Sequence, residues 1–139
     1  MTWLTSHLSS LNDKPAICDL HGEFSYSELS EQIEIFHNKI GKVIKPGEVV
    51  GLLSDYNYYS IALLLALLKQ KTIVVPVVSK NGAEVESRLK VANCDWILNL
   101  DKDVLLFSKI EHEIPKHQLV KNLIDRAHSG LILFSSGST

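Results

Sequence analysis

The run Val49-Val50-Gly51-Leu52-Leu53 is apolar at every position, with no polar residue alternating through it, and a strand reads that way when both of its faces are covered. Cover on both faces requires helices on both sides of the sheet. The flanking sequence supplies them. Residues 58–69 carry the spacing of a buried helix, and residues 72–77, rich in β-branched side chains, predict the next strand, stopped near Pro76. Asn81 and Glu84 then cap a helix that carries Val85, Leu89 and Ala92 on one face. Short strands at 96–100 and 104–107 follow. A helix over 117–127, with Leu119, Leu123 and Ala127 inward, and a strand over 131–134 complete the series. Strands alternating with helices predict an α/β fold, a mostly parallel sheet flanked by helices with right-handed crossovers.

Ahead of this unit, Trp3, Leu4, Leu8 and Leu11 stand at helical spacing, and Asn12-Asp13-Lys14-Pro15 ends that helix in a turn. Residues 16–20 read as a strand, His21-Gly22 as a tight turn, and a second short strand ends at Ser25. Ser25 and Glu28 have the spacing of a capping box. The helix it opens presents Leu29, Ile33, Phe36 and Ile40 along one face, and Lys45-Pro46-Gly47 turns the chain into the first buried strand.

A chain of 139 residues, 45% hydrophobic, can bury the core of one domain. Its net charge of −2, with no Lys/Arg stripe, argues against a nucleic-acid partner. Cys18 and Cys94 form neither a CxxC pair nor a dense framework, so they read as reduced thiols and point to a cytoplasmic protein. Residues 1–11 lack the basic and apolar regions of a secretory leader, and the apolar run 61–68 is far below the roughly 20 residues a membrane span needs. No metal site is expected. His112 and His117, with Pro115 between them, do not share a helical face, and Asp101-Lys102-Asp103 lacks the rest of a calcium loop. Glu111 and Glu113 show no partner for acid/base work. Tyr56, Tyr58 and Tyr59 follow a strand end where ligands can bind, although packing on the core is the expected role.

The chemistry concentrates at the end. Phe134-Ser135-Ser136-Gly137-Ser138-Thr139 puts hydroxyls and a glycine directly after an apolar strand, where backbone N–H groups converge on phosphate oxygens in many α/β proteins. The spacing is not that of a Walker loop. Ser135, Ser136, Gly137, Ser138 and Thr139 are the candidate phosphate-binding residues.

The chain resembles the AMP-forming adenylating superfamily, which includes acyl/aryl-CoA synthetases and peptide-synthetase adenylation domains. Four stretches carry the likeness in family order. They are the hairpin and helix start from Ala16 to Leu29; Pro46-Gly47-Glu48-Val49-Val50-Gly51-Leu52-Leu53-Ser54-Asp55; Ala66-Leu67-Leu68-Lys69 with Val74-Val75-Pro76-Val77; and Leu131 to Thr139, which matches the first part of the phosphate loop. One departure stands out: Gln70-Lys71 occupies the place of a small residue and glycine, so a left-handed helix end there would fall to lysine, a different helix ending being equally open.

The resemblance implies that residues 1–139 are a single incomplete domain ending inside the phosphate loop of a longer enzyme. That enzyme would use ATP and Mg²⁺ to turn a carboxylic acid into an acyl-adenylate, with CoA as the preferred acceptor. This stretch alone is expected to be inactive, to hold no cofactor firmly and to self-associate. The alternative is a stand-alone α/β nucleotide-binding or interaction module without catalysis.

Overall fold

The computed structural model describes the chain apart from Met1, Ser79, Lys80, Lys102, His112, Glu113 and residues 136–139, and apart from the side chains of Thr2, Trp3, Thr5 and Ser9. Helix α1 (Thr2–Ser10) leads into a hairpin of β1 (Pro15–Asp19) and β2 (Gly22–Ser25), then α2 (Tyr26–Ile40) and β3 (Val49–Leu53). The chain continues through α3 (Tyr58–Lys69), β4 (Ile73–Val77), α4 (Gly82–Val91), β5 (Trp96–Asp101), β6 (Val104–Lys109), α5 (Gln118–Asp125) and β7 (Gly130–Leu131).

The main sheet has the order β6-β5-β3-β4-β7. Its pairs β3–β4, β3–β5 and β4–β7 are parallel, and β5–β6 is an antiparallel hairpin. Along β3 and β4 successive side chains divide between two cores, as period-two geometry requires. Val50, Leu52 and Val74 join Leu29, Ile33, Phe36 and Ile40 of α2 and Leu63, Ala66 and Leu67 of α3 on one face. Val49, Ile73, Val75 and Val77 join Leu89 of α4 and Val120 of α5 on the other. The expectation of a mostly parallel sheet flanked by helices holds, and so does that of a strand covered on both sides.

Local chemistry sets the helix ends. Ser25 Oγ accepts from Glu28 N at 3.2 Å while Glu28 Oε2 accepts from Ser25 N at 2.7 Å, the reciprocal box read from the sequence. Each side chain α2 buries contributes about 1.5–3 kcal/mol, and truncating the fully buried Phe36 to alanine would cost about 3–5 kcal/mol. Helix α3 ends with Thr72 N donating to Leu67 O at 3.2 Å and Lys71 N to Leu68 O at 3.1 Å. This is a Schellman end with Lys71 at φ 62, so the left-handed position does fall to lysine.

The strand expected over 72–77 holds as β4, which ends at Val77, one residue past Pro76, and Pro76 itself pairs in register with Leu52. In the parallel ladder Thr72 O and Val74 O accept from β7, so the backbone of position 76 also faces β7, and β7 has ended by then. A missing N–H is tolerated there. The strand expected over 131–134 pairs only at Gly130 and Leu131, followed by one bond from Ile132 N to Val74 O at 2.9 Å. Helix α5 is rotated from the expected face: Leu119 is exposed, Val120 is buried, and Ala127 lies past the helix end at φ 52.

Candidate functional site

Strands β3, β4, β5 and β7 are parallel, so their carboxyl ends lie along one edge of the sheet. Helix α3 packs on one face and α4 on the other, so the chain leaves β3 and β4 in opposite directions. That divergence opens a crevice at the carboxyl ends, the usual ligand position in open α/β sheets. A cleft of about 440 Å³ occupies it here, lined among others by Ser54, Asp55, Val78, Asn99 and Asp101. The carboxyl end of β7, four residues before Ser135, lies on the same edge.

Of the five candidate phosphate-binding residues, Ser135 is described and exposed, four residues past the end of β7. Ser136, Gly137, Ser138 and Thr139 lie outside the described residues. Two packing contacts guide the chain to Ser135. Leu123 of α5 sits so close to Gly130 that a β-carbon there would meet its Cδ1 at 2.6 Å. Farther on, the Phe134 ring packs into the core between the sheet and α4, with the Arg88 guanidinium carbon 5.7 Å from its centroid.

Of the three tyrosines expected to pack, Tyr58 and Tyr59 join the core and Tyr56 is exposed; Tyr58 shows the packing role most fully. It is buried, its ring stacks on Phe24 at 3.8 Å, and its hydroxyl donates to Glu28 O at 2.8 Å. Burial, helped by Glu28, pushes its phenol up to about 12. Cys94 is a core thiol also pushed to about 12, by burial and then Asp95, which keeps it protonated and unreactive. His117 caps α5, accepting from Leu119 N at 3.2 Å, while His112 and Glu113 lie outside the described residues. Asp101 and Asp103 flank the β5–β6 turn. Among the described residues no three His, Cys, Asp or Glu side chains converge on one point, and no helix is long and apolar enough to cross a membrane.

Sequence reasoning missed three anchors. Asp19 accepts from Tyr58 N at 2.7 Å and so ties the hairpin to the start of α3. Asp95 takes Val49 N and Lys116 Nζ on one oxygen, at 2.7 and 2.6 Å, joining β3, β5 and the approach to α5. The partners are far apart in the chain, so no spacing rule reveals them. Asn57 and Ser60 form a second capping box at α3, and that one was legible as Asn-x-x-Ser.

No family model matches the chain. Nonribosomal peptide synthetase 32 of Fusarium pseudograminearum is 26% identical over 154 residues, an alignment spanning 95% of this chain. The hybrid PKS-NRPS synthetase apdA of Emericella nidulans is 31% identical over 127 residues, spanning 87% of this chain. The chain covers only 2% and 3% of these relatives. Among solved structures, holo-AB3403, a four-domain nonribosomal peptide synthetase bound to AMP and glycine, matches 97% of this chain at TM-score 0.70 and 19% identity, over 11% of its own chain. The N-terminal subdomain of Klebsiella oxytoca NpsA, in complex with 3-hydroxybenzoyl-AMSN, matches 97% at TM-score 0.68 and 19% identity, over 37% of its own chain. In sequence the chain is similar to these peptide synthetases, and in fold to their adenylating parts. Its architecture is that of the N-terminal subdomain of an adenylation domain.

Proposed function

We propose that this chain is the N-terminal part of an ATP-dependent, AMP-forming ligase that activates a carboxylic acid as its acyl-adenylate. The observation that carries the reading is the course of residues 130–135, which leave a parallel sheet of adenylation-domain fold at its carboxyl edge and enter Ser135-Ser136-Gly137-Ser138-Thr139. Hydroxyls and backbone N–H groups at such a point suit the oxygens of ATP phosphates. In the reaction a substrate carboxylate oxygen bonds to the α-phosphorus, and the bond to the departing pyrophosphate breaks. The role of this segment is to hold and orient the phosphates, which accelerates the step by positioning and electrostatic stabilisation. Mg²⁺ would accompany the ATP phosphates, whose charge it offsets.

Peptide synthetases among the relatives favour an amino or aryl acid passed to a carrier thiol. Transfer to CoA, the acceptor preferred from the sequence, is the second reading and rests on the family resemblance alone. A cytoplasmic location fits either. The test is ATP–pyrophosphate exchange over fatty, aryl and amino acids, run on the 139-residue chain and on the longest product of its reading frame. Exchange is expected only where the frame continues past Thr139 with Gly, any residue, Pro and Lys. A stop codon after Thr139, or micromolar Mg-ATP binding by the 139-residue chain that Gly137→Val abolishes, would favour a stand-alone nucleotide module instead.

A further inference from the structure

Past β7 the chain loses its backbone ladder. Ile132 N bonds to Val74 O, and the next rung would have to run from the backbone of position 76 to Ile132 O. Proline has no N–H to give. What keeps the following residues on course is therefore side-chain packing. Ile132 and Phe134 turn into the core that contains Val75, Val77 and Leu89, while Leu133 and Ser135 face solvent.

Phe134 carries a further contact that simple burial does not require. The Arg88 guanidinium carbon lies 5.7 Å from its ring centroid, and a cation at that distance is attracted by the ring's negative face. Glu84, one turn earlier on α4, pairs with Arg88 Nη2 and so orients the planar guanidinium. Glu84 is itself placed by the cap, since Asn81 Oδ1 accepts from Ala83 N at 3.1 Å and Glu84 N at 3.4 Å. A relay thus runs from the start of α4 through Glu84 and Arg88 to the residue immediately before Ser135.

We propose that Arg88 is a positioning residue for the phosphate-binding segment: by clamping Phe134 where Pro76 interrupts the ladder, it sets the point and direction at which the backbone enters Ser135. The inference rests on the phosphate-binding reading of residues 135–139, and it assigns Arg88 no contact with substrate.

The experiment uses the 139-residue chain with Arg88→Met, which keeps an apolar stem without charge, and Arg88→Lys, which keeps charge without the planar group. Backbone NMR reads the amide shifts and heteronuclear NOE of Phe134 and Ser135, and a millimolar Mg-ATP titration reads affinity in the same samples. In Arg88→Met the NOE of Phe134 and Ser135 is expected to fall while β3 and β4 amides keep their shifts, and the Mg-ATP dissociation constant to rise about three- to tenfold. Arg88→Lys should fall between. Unchanged Phe134 and Ser135 amides in Arg88→Met overturn the proposal, as does a loosened junction with unaltered ATP affinity, which would make the contact merely structural. If Arg88→Met unfolds the chain, Glu84→Gln, which leaves the stack but frees its orientation, is held to the same two readouts. Where the wild-type 139-residue chain gives no saturable Mg-ATP shift, as its incomplete loop leads one to expect, the amide data alone decide whether Arg88 sets the junction.

Discussion

Leu123 Cδ1 lies where it would meet a β-carbon on Gly130 at 2.6 Å, so helix α5 can lie against the start of β7 only because residue 130 has no side chain. Gly51 is in the same position beneath Leu89, with Cys94 Sγ and Trp96 O each 3.6 Å from the same point. Leu89 is buried and has less room to move than the half-buried Leu123. Gly130→Ala should therefore cost about 1–3 kcal/mol as an overpacking change, and Gly51→Ala should cost more. Urea unfolding monitored by circular dichroism checks this, the midpoint falling with little change in slope.

Helices α3, α4 and α5 end alike, each with a residue in the left-handed region: Lys71 at φ 62, Asn93 at φ 55 and Ala127 at φ 52. A β-carbon there is strained, and asparagine is the residue among the three that tolerates it best. Lys71→Gly and Ala127→Gly should each stabilise the chain by about 0.5–1 kcal/mol, the relief of strain exceeding the added unfolded-state freedom. Asn93→Gly should bring no gain, because it removes the bond from Asn93 Nδ2 to Ile114 O at 2.7 Å. Thermal melts of the three variants compare the effects directly.

Asp19 holds its carboxyl below the usual value of 3.8, chiefly because Tyr58 N donates to it, opposed by some desolvation and helped by the His21 N–H. A depressed folded-state value means that the stabilisation is present above the unfolded value near 3.8 and is lost as pH falls through the lower, folded one. Below pH 4 the hairpin of β1 and β2 should loosen from α3. Asp19→Asn should flatten the acid limb of a stability–pH curve. Hydrogen exchange at the Tyr58 amide, slow at pH 6 in the parent and fast in the variant, isolates the contact from other carboxylates.

Much of the fold was legible because burial on both faces leaves an apolar run that few other arrangements explain. The bounds of α3, the box at Ser25 and Glu28 and the inward stripe from Leu29 to Ile40 came through for that reason. Helix α5 did not. Leu119 and Val120 are adjacent and equally apolar, so over eight residues the pattern admits two phases, and only packing under β4 and β7 selects Val120. Pro76 fits inside β4 because a proline forbids one hydrogen bond on one side, and local sequence does not show that β7, the neighbour on that side, has already ended. At the site, composition pointed to Ser135, but the Arg88–Phe134 contact joins residues from different elements and had no local signature.

The apolar surface around β7 yields the last prediction. Strand β7 is an edge of the sheet with two paired residues, and Leu131 and Leu133 are exposed beside it. Between α4 and α5 a cleft of about 730 Å³ is lined by Val91, Leu119 and Phe134, with Val91 72% and Leu119 68% exposed. An open edge next to an uncovered apolar groove is a template for pairing with another chain. The 139-residue chain is therefore expected to form dimers or larger species at high micromolar concentration. Leu119→Glu and Leu133→Lys remove apolar surface at exposed positions without opening the core, so they should shift the population toward monomer with little loss of stability. Light scattering across a dilution series reads the outcome, and a parent chain that stays monomeric at the highest concentration would show that these residues are too dispersed to act as one surface.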